Sequence, residues 1–206
     1  CHSCFNWLMP TIDIYRNQWP AIELDFSGGF TFEPLPALAQ GEVDLVITSD
    51  PQPIRGVEYV PLFSYEMHIG IANQHSLATK TFLQPQDLAD QTLIIYPVER
   101  SRLDVFNQFL NPAGIEPLAV RTSELTLMMV QLVASGRGVC ALPNWVLAEY
   151  ADKQLISVRS AGEKGIWPTL YAAIREEQLT TSYVQDFLNL AKAHCLKNLQ
   201  GVKQVL

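Results

Sequence analysis

The sequence predicts an α/β fold built from two small subdomains. Short runs of branched apolar residues alternate with helical patterns along all 206 residues, which is typical of βαβ units with parallel strands. The alternation passes through two similar rounds. One further strand and helix follow the second round, so we expect the chain to return and complete the first. The predicted subdomains are 1–70 with 169–206, and 71–168, joined by two crossover segments beside an interlobe cleft.

The elements of the first round follow from apolar spacing and turn residues. A helix over 5–18 has one apolar face and ends before the Trp19–Pro20 step. Alternation of apolar and polar residues over 21–26 predicts a strand. The other first-round predictions are a short helix ending at Gly41 and strands over 43–48, 57–63 and 65–72.

The second round repeats the pattern. Its predicted strands are 92–96, 118–122, 139–143 and 155–159, and its predicted helices are 84–91, 101–110, 124–135 and 145–151. The returning segment holds a strand over 169–175 and a final helix. That helix has one apolar stripe: Val184, Phe187, Leu188, Ala191 and Cys195.

Composition excludes several classes of protein. The chain carries 48% hydrophobic and 17% charged residues, which indicates a globular fold. Its net charge is −7 without a basic run, so we expect no nucleic-acid binding through its own surface. No apolar run approaches the roughly 18 residues of a membrane span, and no signal peptide is visible. Four scattered cysteines favour a reducing cytoplasm over a disulfide framework.

Recognisable catalytic and metal-binding motifs are also missing from the sequence. The sequence has no Gly-x-Ser-x-Gly elbow, no phosphate loop and no spaced His and carboxylate set. We therefore expect neither an enzyme nor a cofactor. A metal site at "CHSC" (1–4) would need about four ligands, and no second Cys or His cluster exists to supply them. A lipoprotein beginning at Cys1 is a second alternative for that stretch, and a loop entering the first helix is the third.

Three stretches resemble one family. "ALAQGEVDLVIT" (37–48), "YVPLFSYEMHIGIANQHSLA" (59–78) and "LVASGRGVCALPNWV" (132–146) resemble the effector-domain anchors of LysR-type transcriptional regulators, in the family's order and spacing. Asn73 and Ser76 depart from the prolines of the family pattern. The stretches "CHSCFNWLMP" and "LIIYPVERSRLDVFNQFLNPAGIEP" resemble the branch that regulates methionine biosynthesis, whose coinducer is homocysteine.

The resemblance implies a periplasmic-binding-protein-like (type 2) fold and an effector-binding domain of a cytoplasmic transcription activator. It also implies a homodimer, and a tetramer for the full-length protein. The family's N-terminal winged helix-turn-helix is absent from this chain, so DNA would be bound only through that missing domain. We expect no membrane partner. The alternatives are a solute-binding receptor for a small amino acid or anion, and a dimerisation module with a vestigial cleft.

In a two-lobed fold of this kind, ligands bind where the carboxyl ends of the strands converge. That rule selects loop residues from both subdomains. The candidate ligand-binding residues are Ser3, Cys4, Phe30, Thr31, Phe32, Thr48, Ser49, Asp50, Tyr96, Pro97, Val98, Arg100, Ser101 and Thr126.

Each candidate has a functional and a purely structural interpretation. Arg100 and Ser101 precede a helix and suit an α-carboxylate, or they are a solvated arginine and a helix cap. Asp50 suits an α-ammonium group, or it simply forms a turn. Thr31 sits where related regulators bind effector carboxylates, or it caps the next helix. The aromatic candidates either surround the effector's thiol side chain or fill the core: Phe30, Phe32 and Tyr96.

The resemblance also implies an antiparallel pairing of effector domains. In that arrangement the helix over 5–18 meets the partner's helix over 124–135. The predicted interface residues are Trp7, Ile14, Leu127 and Val130, because each helix has more apolar positions than one buried stripe needs. The alternative is that these are scattered surface hydrophobes, which are common.

Overall fold

The computed structural model describes residues 5–27 and 33–205. The chain divides into two compact units. Unit 1 comprises Cys1–Ser64 and Thr169–Leu206, and unit 2 comprises Tyr65–Pro168. The predicted boundary after residue 70 falls inside a strand of unit 2, Met67–Ile71, which pairs only with strands of that unit among the described residues.

The described helices and strands occur in the following order along the chain. The α-helices are α1 (Phe5–Gln18), α2 (Pro34–Gln40), α3 (Thr126–Ala134), α4 (Asn144–Asp152) and α5 (Ser182–Asn198). The strands are β1 (Leu45–Thr48), β2 (Val57–Tyr65), β3 (Met67–Ile71), β4 (Phe82–Leu83), β5 (Thr92–Ile95), β6 (Ala119–Thr122), β7 (Val139–Pro143), β8 (Ser157–Ala161), β9 (Thr169–Arg175) and β10 (Val202–Lys203).

The sheet of unit 1 has the strand order β1-β9-β2-β10. Both β1 and β2 run antiparallel to β9, which corrects the prediction of a parallel sheet. Alternation of neighbouring elements could not reveal this direction, because β9 arrives from the far end of the chain. Helices α1 and α5 pack together, with the rings of Tyr15 and Phe187 meeting edge to face at 5.4 Å.

The strand predicted over 21–26 is wrong. The structure describes residues 21–27 as irregular chain, with alternating exposed and half-buried positions up to Asp25. The carbonyl of Leu24 accepts a hydrogen bond from Arg16 Nη2 (2.9 Å), where a strand would bond to a neighbouring backbone. Period-two alternation alone therefore did not suffice, because a strand also needs a partner in register.

Unit 2 contains a six-stranded mixed sheet of order β4-β8-β3-β7-β5-β6. The central strand β3 is antiparallel to both β7 and β8, whereas β5 is parallel to β6 and β7. Completely buried side chains such as Ile69, Leu83, Leu93 and Leu110 form its core. The carboxyl ends of the parallel strands β5 and β6 therefore meet at one edge of this sheet.

The helix predicted over 101–110 takes a different form. A single turn at Arg100–Arg102 is followed by a wide π-helical segment, Val105–Leu110, and by another single turn, Asn111–Ala113. Pro112 has no N–H and its ring obstructs a regular α-helix. The N–H of Asn111 instead reaches back five residues to the carbonyl of Phe106. π-Helical segments are rare and often lie near functional sites.

The two cysteines that the structure describes, Cys140 and Cys195, are free thiols in the cores of their units. Cys195 lies on the predicted apolar stripe of α5 together with Phe187, Leu188 and Ala191, all buried. Burial raises the pKa of the Cys140 thiol to about 12, although a backbone hydrogen bond at Gly70 partly opposes this. Cys140 is therefore a packing residue without thiolate chemistry near neutral pH.

Candidate functional site

Two loops of unit 2 lie side by side at the carboxyl ends of β5 and β6. The N–H of Ser123, just after β6, donates to the carbonyl of Ile95 at the end of β5 (2.9 Å). Pro97 sits in a three-residue turn that the N–H of Val98 closes on the carbonyl of Tyr96 (2.8 Å). Parallel pairing of the strands thus brings residues 96–101 and 123–126 to one edge of the sheet.

The structure joins two of the predicted ligand-binding residues directly. The hydroxyl of Tyr96 and Oγ1 of Thr126 are 2.6 Å apart, and either can be the donor. Both side chains are half-buried, and Thr126 is the first residue of α3. Two hydroxyls separated by 30 residues in sequence therefore form one polar pair at the start of a helix.

The start of α3 has no side-chain hydrogen bond from its N-cap residue. Its N-cap residue is Leu125, whose side chain has no oxygen to accept from the first turn. The Ser123 hydroxyl, just before this helix, donates to the Leu125 carbonyl. A helix start of this kind favours a negatively charged or hydrogen-bond-accepting group, although the exposed carboxylate of Glu124 is adjacent.

Arg100 is already paired in the structure. Its Nη1 donates to Oε2 of Glu116 at 2.9 Å, and its guanidinium carbon lies 5.1 Å from the centre of the Phe106 ring. Because both charged side chains are largely exposed, this ion pair is weak and an effector carboxylate would compete with it. The geometry thus agrees better with the alternative interpretation, a solvated arginine.

The position of Ser101 is set by a residue that the sequence did not single out. Asn107 Nδ2, on the π-helical segment, donates to the Ser101 carbonyl at 2.6 Å. The exposed Ser101 hydroxyl is 3.5 Å from Glu99 Oε2. The importance of Asn107 and Glu116 follows only from the folded loop, because neither residue belongs to a recognisable motif.

The predicted ligand-binding loop of unit 1, residues 48–50, forms hydrogen bonds within itself and to Gln52. Thr48 Oγ1 accepts from the Asp50 N–H (3.0 Å), and Gln52 Nε2 donates to Asp50 Oδ2 (3.0 Å). The Tyr59 hydroxyl donates in turn to the Gln52 carbonyl (2.6 Å). Burial raises the pKa of Tyr59, and the charge of Asp50 raises it further against the opposing hydrogen bond. These contacts favour the turn-forming interpretation of Asp50. Ser49, between them, is half-buried.

Five predicted ligand-binding residues lie outside the described residues: Ser3, Cys4, Phe30, Thr31 and Phe32. Their roles therefore stay predictions, and so do the alternatives for "CHSC". Among residues 5–27 and 33–205, no three His, Cys, Asp or Glu side chains lie close enough to hold a metal ion. No described helix combines the length and apolarity needed to cross a membrane.

The predicted dimer-interface residues divide into two groups. Ile14 and Leu127 are 37% and 56% exposed, so they are available for contact. Trp7 and Val130 are 2% and 0% exposed within their own chain, so their assignment to an interface is wrong. Apolar spacing in the sequence shows that a helix has two apolar faces. It does not show which face is buried within the helix's own unit. Leu125 and Met128, close to Leu127 in sequence, are also exposed, and so is Leu118.

A separate groove of about 590 Å³ lies in unit 1. Its lining residues are Ala39, Arg55, Gly56, Arg175, Glu176, Glu177 and Thr180. Arg175 follows Ile174, which pairs with Leu45 at the beginning of β1, whereas Thr48 ends that strand. The groove is therefore at the opposite end of β1 from the predicted ligand loop.

Comparison with known proteins defines the class. Residues 1–196 match the family described as the LysR substrate binding domain. The chain belongs to this family of transcriptional regulators, whose effector-binding domains have the periplasmic-binding-protein-like type 2 fold. The predicted α/β fold class and family resemblance are thereby confirmed, and the relatives are regulators, not enzymes.

The more similar relatives share one name. The chain is 44% identical over 203 residues to the HTH-type transcriptional regulator MetR of Escherichia coli (strain K12), covering 98% of this chain and 63% of the relative. MetR of Haemophilus influenzae is 40% identical, with coverage of 98% and 65%. The regulatory domain of MetR from N. meningitidis superposes with a TM-score of 0.84 at 39% identity, covering 100% and 95%. The chain thus spans somewhat under two thirds of the curated relatives.

Proposed function

We propose that this chain is the effector-sensing part of a MetR-type activator of methionine biosynthesis, with homocysteine as its coinducer. Binding would be passed to a DNA-binding domain elsewhere in the full-length regulator, which would act in the cytoplasm. The observation that carries the proposal is the 44% identity to MetR across 98% of this chain. The matched region includes the segments that carry the candidate site, because it covers nearly the whole chain.

The polar pair of Tyr96 and Thr126 supports effector binding in unit 2. Two hydroxyls beside the start of α3 provide hydrogen-bond donors and acceptors at this edge of the sheet. The nearby Glu99 and Glu124 suit the ammonium group of an amino acid better than its carboxylate. Arg100 is paired with Glu116, so an effector carboxylate that binds Arg100 would have to displace this weak, exposed ion pair.

The proposal is tested by calorimetric titration of homocysteine against methionine, cysteine and O-acetylserine. Saturable binding that is tightest for homocysteine supports the proposal, and no saturation with homocysteine contradicts it. Thr126→Val, which removes a hydroxyl and keeps the shape, should weaken homocysteine binding about tenfold, as a lost hydrogen bond to a charged group does. Thr79→Val is the matched control, because the Thr79 hydroxyl donates to the neighbouring Ser76 carbonyl in an exposed turn.

We also propose that the chain forms a homodimer, and a tetramer in the full-length protein, through the exposed apolar residues of α1 and α3. Ile14→Glu and Leu127→Glu should give folded monomers in sedimentation, since both side chains are already in contact with solvent. Trp7→Glu and Val130→Glu should instead unfold the chain, because each would bury an unpaired charge. A wild-type chain that is monomeric at tens of micromolar would remove this interface.

A further inference from the structure

The groove of unit 1 is formed by segments that are far apart in the sequence. Ala39 lies near the end of α2, Arg55 and Gly56 precede β2, and Glu176 follows β9. The Glu176 N–H donates to the Gly56 carbonyl at 2.9 Å, so the last two segments are joined through their backbones. A Cβ built on Gly56 would meet no atom within 4 Å, so the space in front of this residue is open.

The two arginines of the groove differ in how they are paired. Arg175 is occupied by the protein itself, because its guanidinium donates to the carbonyls of Leu38 and Val43 and to Asp44. Arg55 is exposed and makes no ion pair or hydrogen bond within the part of the chain that the structure describes. The Arg55 guanidinium is therefore available to a ligand.

Two carboxylates of the groove are available as well. The exposed Glu176 side chain makes no hydrogen bond or ion pair among residues 5–27 and 33–205. The Glu177 carboxylate is 80% exposed and lies 3.7 Å from Arg175 Nε, which makes a weak pair. Neither carboxylate forms an ion pair with Arg55. Opposite charges therefore line one groove without being paired to each other.

Unpaired charges of both signs in one cavity favour a ligand that carries both signs. An anion would be attracted by Arg55 and repelled by the carboxylates, and a cation would experience the reverse. A zwitterion satisfies both groups, because a guanidinium binds a carboxylate through two parallel N–H bonds and an ammonium group donates to carboxylate oxygens. The volume of about 590 Å³ falls within the ordinary range of small-molecule sites.

We propose that this groove is a second ligand site, which binds a free α-amino acid as its zwitterion. Arg55 binds the α-carboxylate, and Glu176 and Glu177 accept hydrogen bonds from the α-ammonium group. The described lining residues include no aromatic or large apolar side chain, so the charged groups of the amino acid are recognised and its side chain is not selected. Because the charges are exposed, we expect a dissociation constant in the millimolar range.

This site goes beyond the proposed homocysteine site and does not depend on it. The groove is at the opposite end of β1 from Thr48, and the polar pair of Tyr96 and Thr126 belongs to the other unit. Binding at the two places can therefore be observed through different residues.

The ligand class is tested with L-alanine, N-acetylalanine and ethylamine. N-acetylalanine lacks the ammonium group, and ethylamine lacks the carboxylate. Each is titrated into the isotope-labelled chain, and the backbone amide resonances of Gly56 and Glu176 are followed by NMR. We expect the shifts caused by alanine to saturate in the millimolar range and both analogues to bind at least about tenfold more weakly.

Variants test the assigned residues. Arg55→Met, and the double variant Glu176→Gln with Glu177→Gln, should each weaken alanine binding about tenfold and stay folded, because these side chains are exposed. Arg16→Met is the matched control. It makes the same change of charge in unit 1, and Arg16 bonds to the Leu24 carbonyl outside the groove, so this variant should bind alanine as the wild type does.

The outcomes separate this site from the proposed function. Alanine shifts that do not saturate, equal affinity in Arg55→Met and wild type, or an analogue that binds as tightly as alanine would each overturn the groove site. Homocysteine binding in unit 2 is followed through the amide of Thr126, so failure at the groove leaves the proposed function intact. Failure of homocysteine to shift Thr126 leaves the groove site intact.

Discussion

Each of the two units is stabilised internally by a different kind of contact. In unit 2 the backbones of neighbouring segments approach so closely that glycine is required. In unit 1 a single arginine side chain connects segments that are far apart in the sequence. The comparison predicts that unit 2 is most sensitive to an added methyl group and unit 1 to the loss of a polar anchor.

Gly138 gives the clearest example in unit 2. It has a φ of +150°, and a Cβ built there would lie 2.3 Å from the Thr92 carbonyl oxygen. The obstacle is backbone at the start of β5, which cannot rotate away as a side chain would. Gly70 in β3 is tight for a softer reason, because its Cβ would meet Cys140 Sγ at 3.0 Å.

Arg175 plays the connecting role in unit 1. Its Nη1 donates to the carbonyls of Leu38 (3.0 Å) and Val43 (2.6 Å), and its Nη2 donates to Asp44 Oδ1 (2.7 Å). One guanidinium at the end of β9 thereby satisfies the last turn of α2 and the segment before β1. The side chain is 14% exposed, so water replaces these bonds poorly.

The largest effect is expected at Gly138. Gly138→Ala should lower the free energy of unfolding by more than about 3 kcal/mol, because strained backbone and a backbone clash add together. Urea unfolding followed by circular dichroism measures the change. Gly136→Ala is the control: its φ is +69° but its nearest obstacle is Gln74 Nε2 at 3.7 Å, so only about 1 kcal/mol should be lost. Equal losses for the two variants would contradict the backbone clash.

The next effect is expected in unit 1. Arg175→Met should cost about 3 kcal/mol, since it removes the guanidinium bonds to the Leu38 and Val43 carbonyls and to Asp44, while the Leu38 carbonyl keeps the Gly41 N–H. Arg55→Met is the matched control in the same groove. Arg55 is exposed and makes no ion pair or hydrogen bond among the described residues, so its loss should change stability by less than about 0.5 kcal/mol. If both variants unfold at the same urea concentration, Arg175 is not the anchor of this unit.

A smaller loss is expected from Gly70→Ala. The added methyl overpacks β3 against Cys140 and Leu147, which should cost about 1–3 kcal/mol. Cys140→Ala removes the nearest atom, so the double variant should be more stable than the sum of the two single losses predicts. Thermal unfolding of all four proteins gives the coupling. Strict additivity would show that Sγ is not the obstacle.

The smallest effect concerns Asp87 in unit 2, a half-buried carboxylate whose partner Lys80 is 47% exposed. Burial raises the pKa of Asp87, but the Lys80 ammonium and the Gln84 N–H, which bond to the carboxylate, outweigh it and hold the pKa below the ordinary 3.8. Because the folded pKa is depressed, the stabilisation is complete above pH 3.8 and disappears as the pH falls through the folded value. Asp87→Asn should lose under about 1 kcal/mol at neutral pH, and its difference from wild type should vanish in acid. A difference that is constant with pH would exclude the ion pair.

Much of the fold could be predicted because its signals are local. The apolar stripe of α5, the Gly41 end of α2 and the branched runs of β1 and β5 each specify an element from neighbouring residues. Three family anchors in the right order then supplied the fold class and the regulator family. The strand directions in unit 1 and the π-helical segment before Pro112 were not predicted, because they depend on residues distant in sequence or on how a broken helix satisfies its donors.

The candidate site was predicted as a set of loops but not as a set of contacts. The sequence by itself determined that residues 96–101 and 126 follow neighbouring strands, and parallel pairing of β5 with β6 brought Tyr96 to Thr126. Only the tertiary structure decided that Arg100 is held by Glu116 and that Trp7 faces Phe63 within its own unit. The reason is physical. Periodicity and turn chemistry act over a few residues, whereas burial and charge pairing depend on which distant residues fill the remaining space.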